Sequence, residues 1–423
     1  MRVVFSLVPA AAFLLAATAL LNFLEAHRFI NTVRPDDRVA SRPVWLVDQC
    51  RINGKKYWRT APTRISGMID NVFPVEKDPD AFRVVVTGGS FAMGSPWVFQ
   101  GGKGETGFGS IPDWIRAELT ERYPSRRIEV INGGIGGGAS PAVRFAVAEF
   151  AKVNPDLIVV ATGNNEGYVA TTFLNPTLHE WVFYRAMKKI LLGNPAPEER
   201  SWFMPQDPDT VAIARKYEAN IRGIVETARA RRIPLVLATL PINLKWHGVV
   251  GLHGSEPPLP DDADIEAGLR EVQLGHYETA IEHFLRSRNP GHAAWFIAVC
   301  EEKLGQFDAA RESYKIHVQF NPSNRARPSY NEFVRGIARQ DGVHLADLEK
   351  RLEALSPNGL PAPMWFVDYC HMTWQGYAEM GREIVRVIVA DGLVPGAEGE
   401  PLPPPTQEAM IVRNGWQTLW KFQ

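Results

Sequence analysis

Cysteine is scarce in this 423-residue chain: Cys50, Cys300 and Cys370 are the whole complement. Three scattered thiols cannot build a disulfide framework or a cysteine-based zinc cluster, so they are expected to be reduced and mostly buried. Net charge is nearly absent as well. Forty-six Lys and Arg against 47 Asp and Glu leave −1, and no basic excess exists to attract nucleic acid. There is no phosphate-binding loop and no dinucleotide fingerprint, because Gly134-Ile-Gly136-Gly137-Gly138 lacks the downstream context that such a fingerprint needs. No cofactor and no metal is therefore expected. His179, His276, His283 and His317 fall on helical stretches without ligand partners, and His247 and His253, in a loop rich in Gly and Pro, read as solvated.

What the chain does have begins at its start. Val3–Leu24 is apolar except for Ser6, Pro9, Thr18 and Asn22, and roughly 20 such residues suffice to cross a bilayer. An uncleaved single-pass anchor over residues 3–24 is the preferred expectation. A cleaved signal ending near Ala17-Thr18-Ala19 and a buried helix are the alternatives. Arg28, Arg34 and Arg38 after the run lean toward a cytoplasmic body by the positive-inside rule.

Beyond a lead-in arm over 26–80, in which Ile52-Asn53-Gly54-Lys55 supplies turn chemistry for a small hairpin, strands and helices alternate. Phe82–Val86, Ile128–Ile131, Leu157–Ala161, Pro234–Thr239 and Val343–Asp347 read as strands made almost wholly of Val, Ile, Leu and Ala. Ile111–Tyr123, Pro141–Lys152, Thr210–Arg231, Tyr330–Asp341 and Thr373–Ala390 read as helices. Strands of this composition between helices imply a parallel sheet covered on both faces. The fold class expected is therefore α/β, a three-layer flavodoxin-like body.

Within that pattern Ser90 follows the Phe82–Val86 strand at a glycine pair, at the sheet edge where open α/β folds bind ligands. Asp368 and His371 lie three apart on one short element far downstream. A serine so placed needs a histidine to take its proton and an acid to hold the imidazole in the right tautomer. Asp347, which ends a strand, is a rival acid.

Four blocks in order then resemble the SGNH or GDSL-type hydrolases: Gly88-Gly89-Ser90-Phe91-Ala92-Met93-Gly94, Val130-Ile131-Asn132-Gly133-Gly134, Gly163-Asn164-Asn165-Glu166 and Asp368-Tyr369-Cys370-His371. The resemblance covers about 80–240 and 325–395. It implies the three-layer fold, Ser90 as nucleophile, His371 as base and Asp368 as its orienting acid. It also implies an oxyanion hole from the N–H groups of Ser90 and Gly134 and the Asn165 amide. Gly89 and Glu166 depart from the family pattern, which has aspartate at both places. An exported body is a further implication of the resemblance.

Between Asp261 and Asn324 the chain changes character. Leu274-Gly275-His276-Tyr277 recurs as Leu304-Gly305-Gln306-Phe307, with Ala280 and Ala310 in register. This resembles the tetratricopeptide repeat, in two copies where about three are needed for independent stability. The module is expected either to bind a protein or to form a lid or rim over the site. After a proline-rich stretch, Trp416, Leu419, Trp420 and Phe422 form an apolar terminus that clamps onto the body or meets lipid or a partner.

The expected division is thus 1–25 anchor or signal, 26–80 arm, 81–260 and 325–395 the hydrolase-like body, 261–324 the helical insertion and 396–423 the tail. The expected activity is a serine esterase or O-acyltransferase acting on a small acyl ester of an envelope glycan or lipid, with Trp97, Phe99 and Asn243 lining the pocket. The alternative is a membrane-anchored scaffold subunit on a hydrolase fold.

Overall fold

Strand residues buried on both sides decide the architecture. In the computed structural model, which describes residues 2–27, 29–30, 47–60, 68–98, 104–166, 181–192, 210–247, 261–320, 325–361, 363–394 and 401–422, every residue of Ala81–Gly88 is buried. Phe82, Val84 and Val86 point into one apolar layer and Val85 into the other. Leu157, Val159 and Ala161 alternate in the same way with Ile158 and Val160. Side chains on a strand alternate faces, so a strand apolar at every position must be covered twice.

The elements in chain order are α1 (Arg2–Ala26), β1 (Val47–Ile52), β2 (Lys55–Thr60), β3 (Val72–Pro74), β4 (Ala81–Gly88), α2 (Ser90–Met93), α3 (Ile111–Arg122), β5 (Arg127–Gly134), α4 (Ser140–Phe150), β6 (Leu157–Ala161), α5 (Val182–Leu192), α6 (Thr210–Ala230) and β7 (Leu235–Ala238). They continue with α7 (Ala263–Leu274), α8 (Tyr277–Phe284), α9 (Pro290–Lys303), α10 (Phe307–Phe320), α11 (Pro328–Asp341), β8 (His344–Ala346), α12 (Leu348–Leu355), α13 (Trp374–Ala390) and α14 (Gln407–Asn414). Five strands pair in parallel in the order β5-β4-β6-β7-β8. Helices α3, α12 and α13 cover one face and α4, α6 and α11 the other. Numbered within this sheet the order is 2-1-3-4-5, and its switch point lies at β4, whose neighbours run off in opposite directions.

The fold class expected from sequence needs two corrections. The sheet content is not parallel alone, because β1, β2 and β3 form a separate three-stranded antiparallel sheet. Asn53 and Gly54, both at positive φ, make the expected turn, and β3 adds a strand that sequence did not reveal because it is only three residues long.

The second correction concerns the membrane. Among the described residues no helix is long and apolar enough to cross one. The single-pass anchor over 3–24 is overturned, and with it the membrane partner and the membrane-anchored localisation. Helix α1 instead makes polar contacts with protein. Glu25 is buried and pairs with Arg185 of α5 at 2.7 Å, and Thr18 accepts a hydrogen bond from Trp181 Nε1 at 2.9 Å. An apolar run reports hydrophobicity, not what covers it.

Helices α7–α10 form two hairpins between β7 and β8. Ile265, Ala280, Phe284, Ala293, Phe296 and Cys300 make a small core of their own, while Ala298, Ala310, Tyr314 and Val318 join the main core beside the sheet. Two copies of a repeat cannot bury both outer faces, and the body supplies the missing neighbour. His247, expected in solvent, stacks on Trp295 of α9 with ring centroids 3.9 Å apart, because this module folds over its loop. His179 and His253 lie outside the described residues.

The apolar terminus clamps onto the body. Trp416 packs edge-on against Trp114 at 5.1 Å and stacks on Phe108 at 5.5 Å, and Phe422 meets Trp97 at 5.2 Å. Leu419 is fully buried. Trp416→Ala should therefore destabilise the fold by about 3–5 kcal/mol, measured by denaturant unfolding. A loss below about 1 kcal/mol would mean that the tail is not part of the core.

Candidate functional site

Ser90 opens a one-turn helix directly after β4. Gly88 adopts φ 158°, and a Cβ there would stand 1.9 Å from the Ala161 carbonyl oxygen. The close approach of β4 to β6 thus requires glycine at that position. Gly89, where the family pattern has aspartate, has its own reason: a Cβ there would meet the Gly138 oxygen at 2.9 Å. The loop after β5 closes over the nucleophile turn, and a side chain at Gly89 would force that loop to shift.

His371 Nε2 lies 2.7 Å from Ser90 Oγ. On its other side His371 Nδ1 lies 2.6 Å from Asp368 Oδ2. The second carboxylate oxygen, Oδ1, accepts from the backbone N–H groups of Cys370 at 2.8 Å and His371 at 2.7 Å, so the loop is wound around its own aspartate. The Val367 N–H donates to the His371 carbonyl at 2.9 Å and closes the turn. Asp347 does not compete. It caps α12 and binds Thr239 and Arg335.

Burial pulls the His371 imidazole toward the neutral form, but the Cys370 sulfur and the Asp368 carboxylate outweigh it and raise its pKa above the ordinary value. For Asp368 burial acts upward, and the hydrogen bond and charge of His371, with the two loop N–H groups, bring it below the ordinary carboxylate range. Burial raises the Cys370 thiol, against the opposing pull of the His371 imidazole beside it.

Asn165, at φ 67°, is buried, and its Nδ2 has no hydrogen-bond partner. An amide donor left unmet in the interior is costly, and this one lies 3.7 Å from where a Gly89 Cβ would stand. Its neighbour Asn164 accepts from the Ala326 N–H at 2.6 Å. Gly134 is placed differently from expectation. Its N–H donates to Asn132 Oδ1 at 3.1 Å, and a Cβ would meet the Met93 backbone at 2.5 Å. It lies beneath the nucleophile turn, with its donor already engaged.

The expected pocket residues divide three ways. Trp97 is buried and donates its indole N–H to the Met372 carbonyl at 2.9 Å, so it braces the histidine loop. Asn243 Nδ2 donates to the Asp368 carbonyl at 3.0 Å, and the Asn243 backbone carbonyl accepts from Arg325 Nη1 at 2.6 Å. Phe99 lies outside the described residues. Among the described residues Tyr369 lies 6.1 Å from the His371 ring, and Trp246 in turn lies 6.4 Å from Tyr369. Tyr369 stood within the Asp-x-x-His block, where its proximity was legible; nothing in the sequence marked Trp246.

No family model matches the chain, and no curated protein matches it. Solved structures show a distant but consistent likeness to GDSL-like hydrolases and esterases. A putative acylhydrolase from Bacteroides fragilis is 16% identical with a TM-score of 0.37, covering 75% of this chain and 91% of that one. A GDSL-like lipase from Bacteroides thetaiotaomicron is 13% identical with a TM-score of 0.34, covering 73% and 89%. The acetylxylan esterase Axe2 from Geobacillus stearothermophilus is 14% identical with a TM-score of 0.38, covering 72% and 93%.

Glu166, the second departure from the family pattern, reaches across to α4. Its Oε1 accepts from the Ser140 N–H at 2.7 Å and its Oε2 lies 2.7 Å from Ser140 Oγ. Burial raises its pKa from 4.5 to about 7. The folded state therefore holds a proton that the unfolded state has already lost, and stability falls as pH rises from about 4.5 to about 7, then levels. Glu166→Gln should remove this fall. The difference in unfolding free energy between parent and variant, measured across that window, checks it; a pH-independent difference would contradict the assignment.

Proposed function

We propose that this chain is a serine hydrolase or acyltransferase that works through an acyl-Ser90 intermediate on small acyl esters. The observation that carries the reading is the continuous chain Ser90 Oγ, His371, Asp368 at 2.7 Å and 2.6 Å. Contact this short lets His371 Nε2 accept the serine proton as Oγ attacks the ester carbonyl. Asp368 holds the Nδ1–H tautomer and stabilises the imidazolium that forms. The protonated His371 then delivers its proton to the departing alkoxide. Water, or the hydroxyl of an acceptor, next attacks the acyl-serine with His371 again as base.

In this reading the oxyanion takes its hydrogen bonds from the Ser90 N–H and from Asn165 Nδ2, the buried donor without a partner. One such donor is worth about 3–4 kcal/mol in the transition state. The Gly134 N–H is left out because Asn132 occupies it. Tyr369 and Trp246 are the aromatic surface against which an acyl or leaving group would lie. An envelope glycan or lipid as substrate depended on a membrane anchor, and no described helix is long and apolar enough to be one.

A non-catalytic scaffold on the same fold has no need of a 2.7 Å contact between serine and imidazole, which favours the enzyme. Ser90→Ala should lower kcat/KM for short-chain aryl acetates by about 10³-fold or more, with an unchanged circular dichroism spectrum. Equal rates in parent and variant would remove Ser90 as nucleophile.

A further inference from the structure

Cys370 takes no part in the proposed chemistry, yet it adjoins the proposed catalytic pair. Its Sγ is 3.9 Å from His371 Nδ1, the nitrogen that also faces Asp368 Oδ2 at 2.6 Å. One sulfur, one nitrogen and one carboxylate oxygen from Asp368, Cys370 and His371 all lie within 4.8 Å of one another. We infer that these three side chains form an inhibitory binding site for a thiophilic divalent cation, zinc above all, behind the imidazole.

The donor set selects the ion. Thiolate, imidazole and carboxylate together suit zinc, whereas magnesium and calcium prefer oxygen alone. A tetrahedral ion with bonds of about 2.3 Å to sulfur and about 2.0–2.1 Å to nitrogen holds S and N about 3.5 Å apart. The sulfur must close in by a few tenths of an ångström, and the carboxylate oxygen must open from the nitrogen by less than about 1 Å. The loop is ready for this. The two backbone N–H groups grip Asp368 Oδ1 and leave Oδ2 to coordinate. The Asp368 side chain is 30% exposed and that of His371 13%, so an ion enters from the carboxylate side, where water can fill the fourth position.

Coordination changes the tautomer. The ion takes the Nδ1 lone pair, so the single imidazole proton transfers through solvent from Nδ1 to Nε2, and the Cys370 thiol releases one proton as it becomes thiolate. Three metal–ligand bonds form; the net release is one proton per ion from the neutral imidazole and thiol, and two from the imidazolium and thiol. Nε2–H then donates to Ser90 Oγ and can no longer accept its proton. The inhibition rests on the function proposed above; the metal site does not. A search for Cys and His at zinc-ligand spacing misses the site because one of its ligands is an aspartate and all three fall within a single turn.

Cobalt(II) titration of the full chain tests the site directly. The parent should bind one cobalt per chain with a thiolate-to-cobalt charge-transfer band that zinc abolishes. Cys370→Ala and Cys370→Ser, checked for folding by circular dichroism, should lack the band while Cys50 and Cys300 remain. In aryl acetate hydrolysis, zinc should lower the parent rate about tenfold or more, EDTA should restore it, and Cys370→Ser should need at least about tenfold more zinc for the same fractional loss. No band in the parent, or the same band in both folded variants, would overturn the inference. If the parent hydrolyses no ester, the enzyme reading fails while the cobalt spectrum still decides the metal site. If it hydrolyses esters without the band, the metal site alone fails.

Discussion

The contact between Ser90 and His371 joins residues 281 apart in sequence, and much of the structure around it holds those two ends together. Ser90 arrives on the turn that follows β4, an inner strand of a parallel sheet, and His371 on a loop that belongs to no strand. Trp97 binds the Met372 carbonyl, Tyr377 Oη donates to the Ser95 carbonyl at 2.9 Å, and Asn243 binds the Asp368 carbonyl. These hydrogen bonds tie the histidine loop to the nucleophile turn and to the loop after β7. A group that is to transfer a proton must be held to a few tenths of an ångström, and rigid neighbours with satisfied hydrogen bonds provide that.

The inserted helices and the tail serve the same constraint from outside. The segment that follows α10 brings Arg325 to the Asn243 carbonyl and the Ala326 N–H to Asn164, so the module is joined to two of the loops that surround the site. The tail acts through Trp97, where Phe422 meets the residue that binds the Met372 carbonyl. Neither element contributes a side chain to the proposed chemistry, and both limit where the site's loops can go.

The sheet was legible because its inner strands are apolar at nearly every position, as strands covered on both faces must be. Ser90 was legible as a candidate because a glycine pair ends its strand, and His371 because Asp368 stands three residues before it. Other features depended on tertiary contact and left no local trace. Trp97 looked like a pocket wall since it follows the serine, but its indole N–H found a carbonyl 275 residues away. Gly134 looked like an oxyanion donor, yet Asn132, two residues earlier, takes its N–H. Helices α12 and α14, eight residues each, are too short for periodicity to declare. The membrane reading of residues 3–24 failed for a related reason. It used apolar composition alone and had no means of seeing Glu25 paired with Arg185.

The central claim is that Ser90 becomes covalently acylated with His371 as its base. The most direct measurement is trapping with an alkyl fluorophosphonate, followed by mass spectrometry of the digested chain. The account predicts one phosphonyl group per chain, on the peptide that contains Ser90, and none when His371 is replaced by alanine. Labelling elsewhere, or labelling of Ser90 that persists without His371, would contradict it.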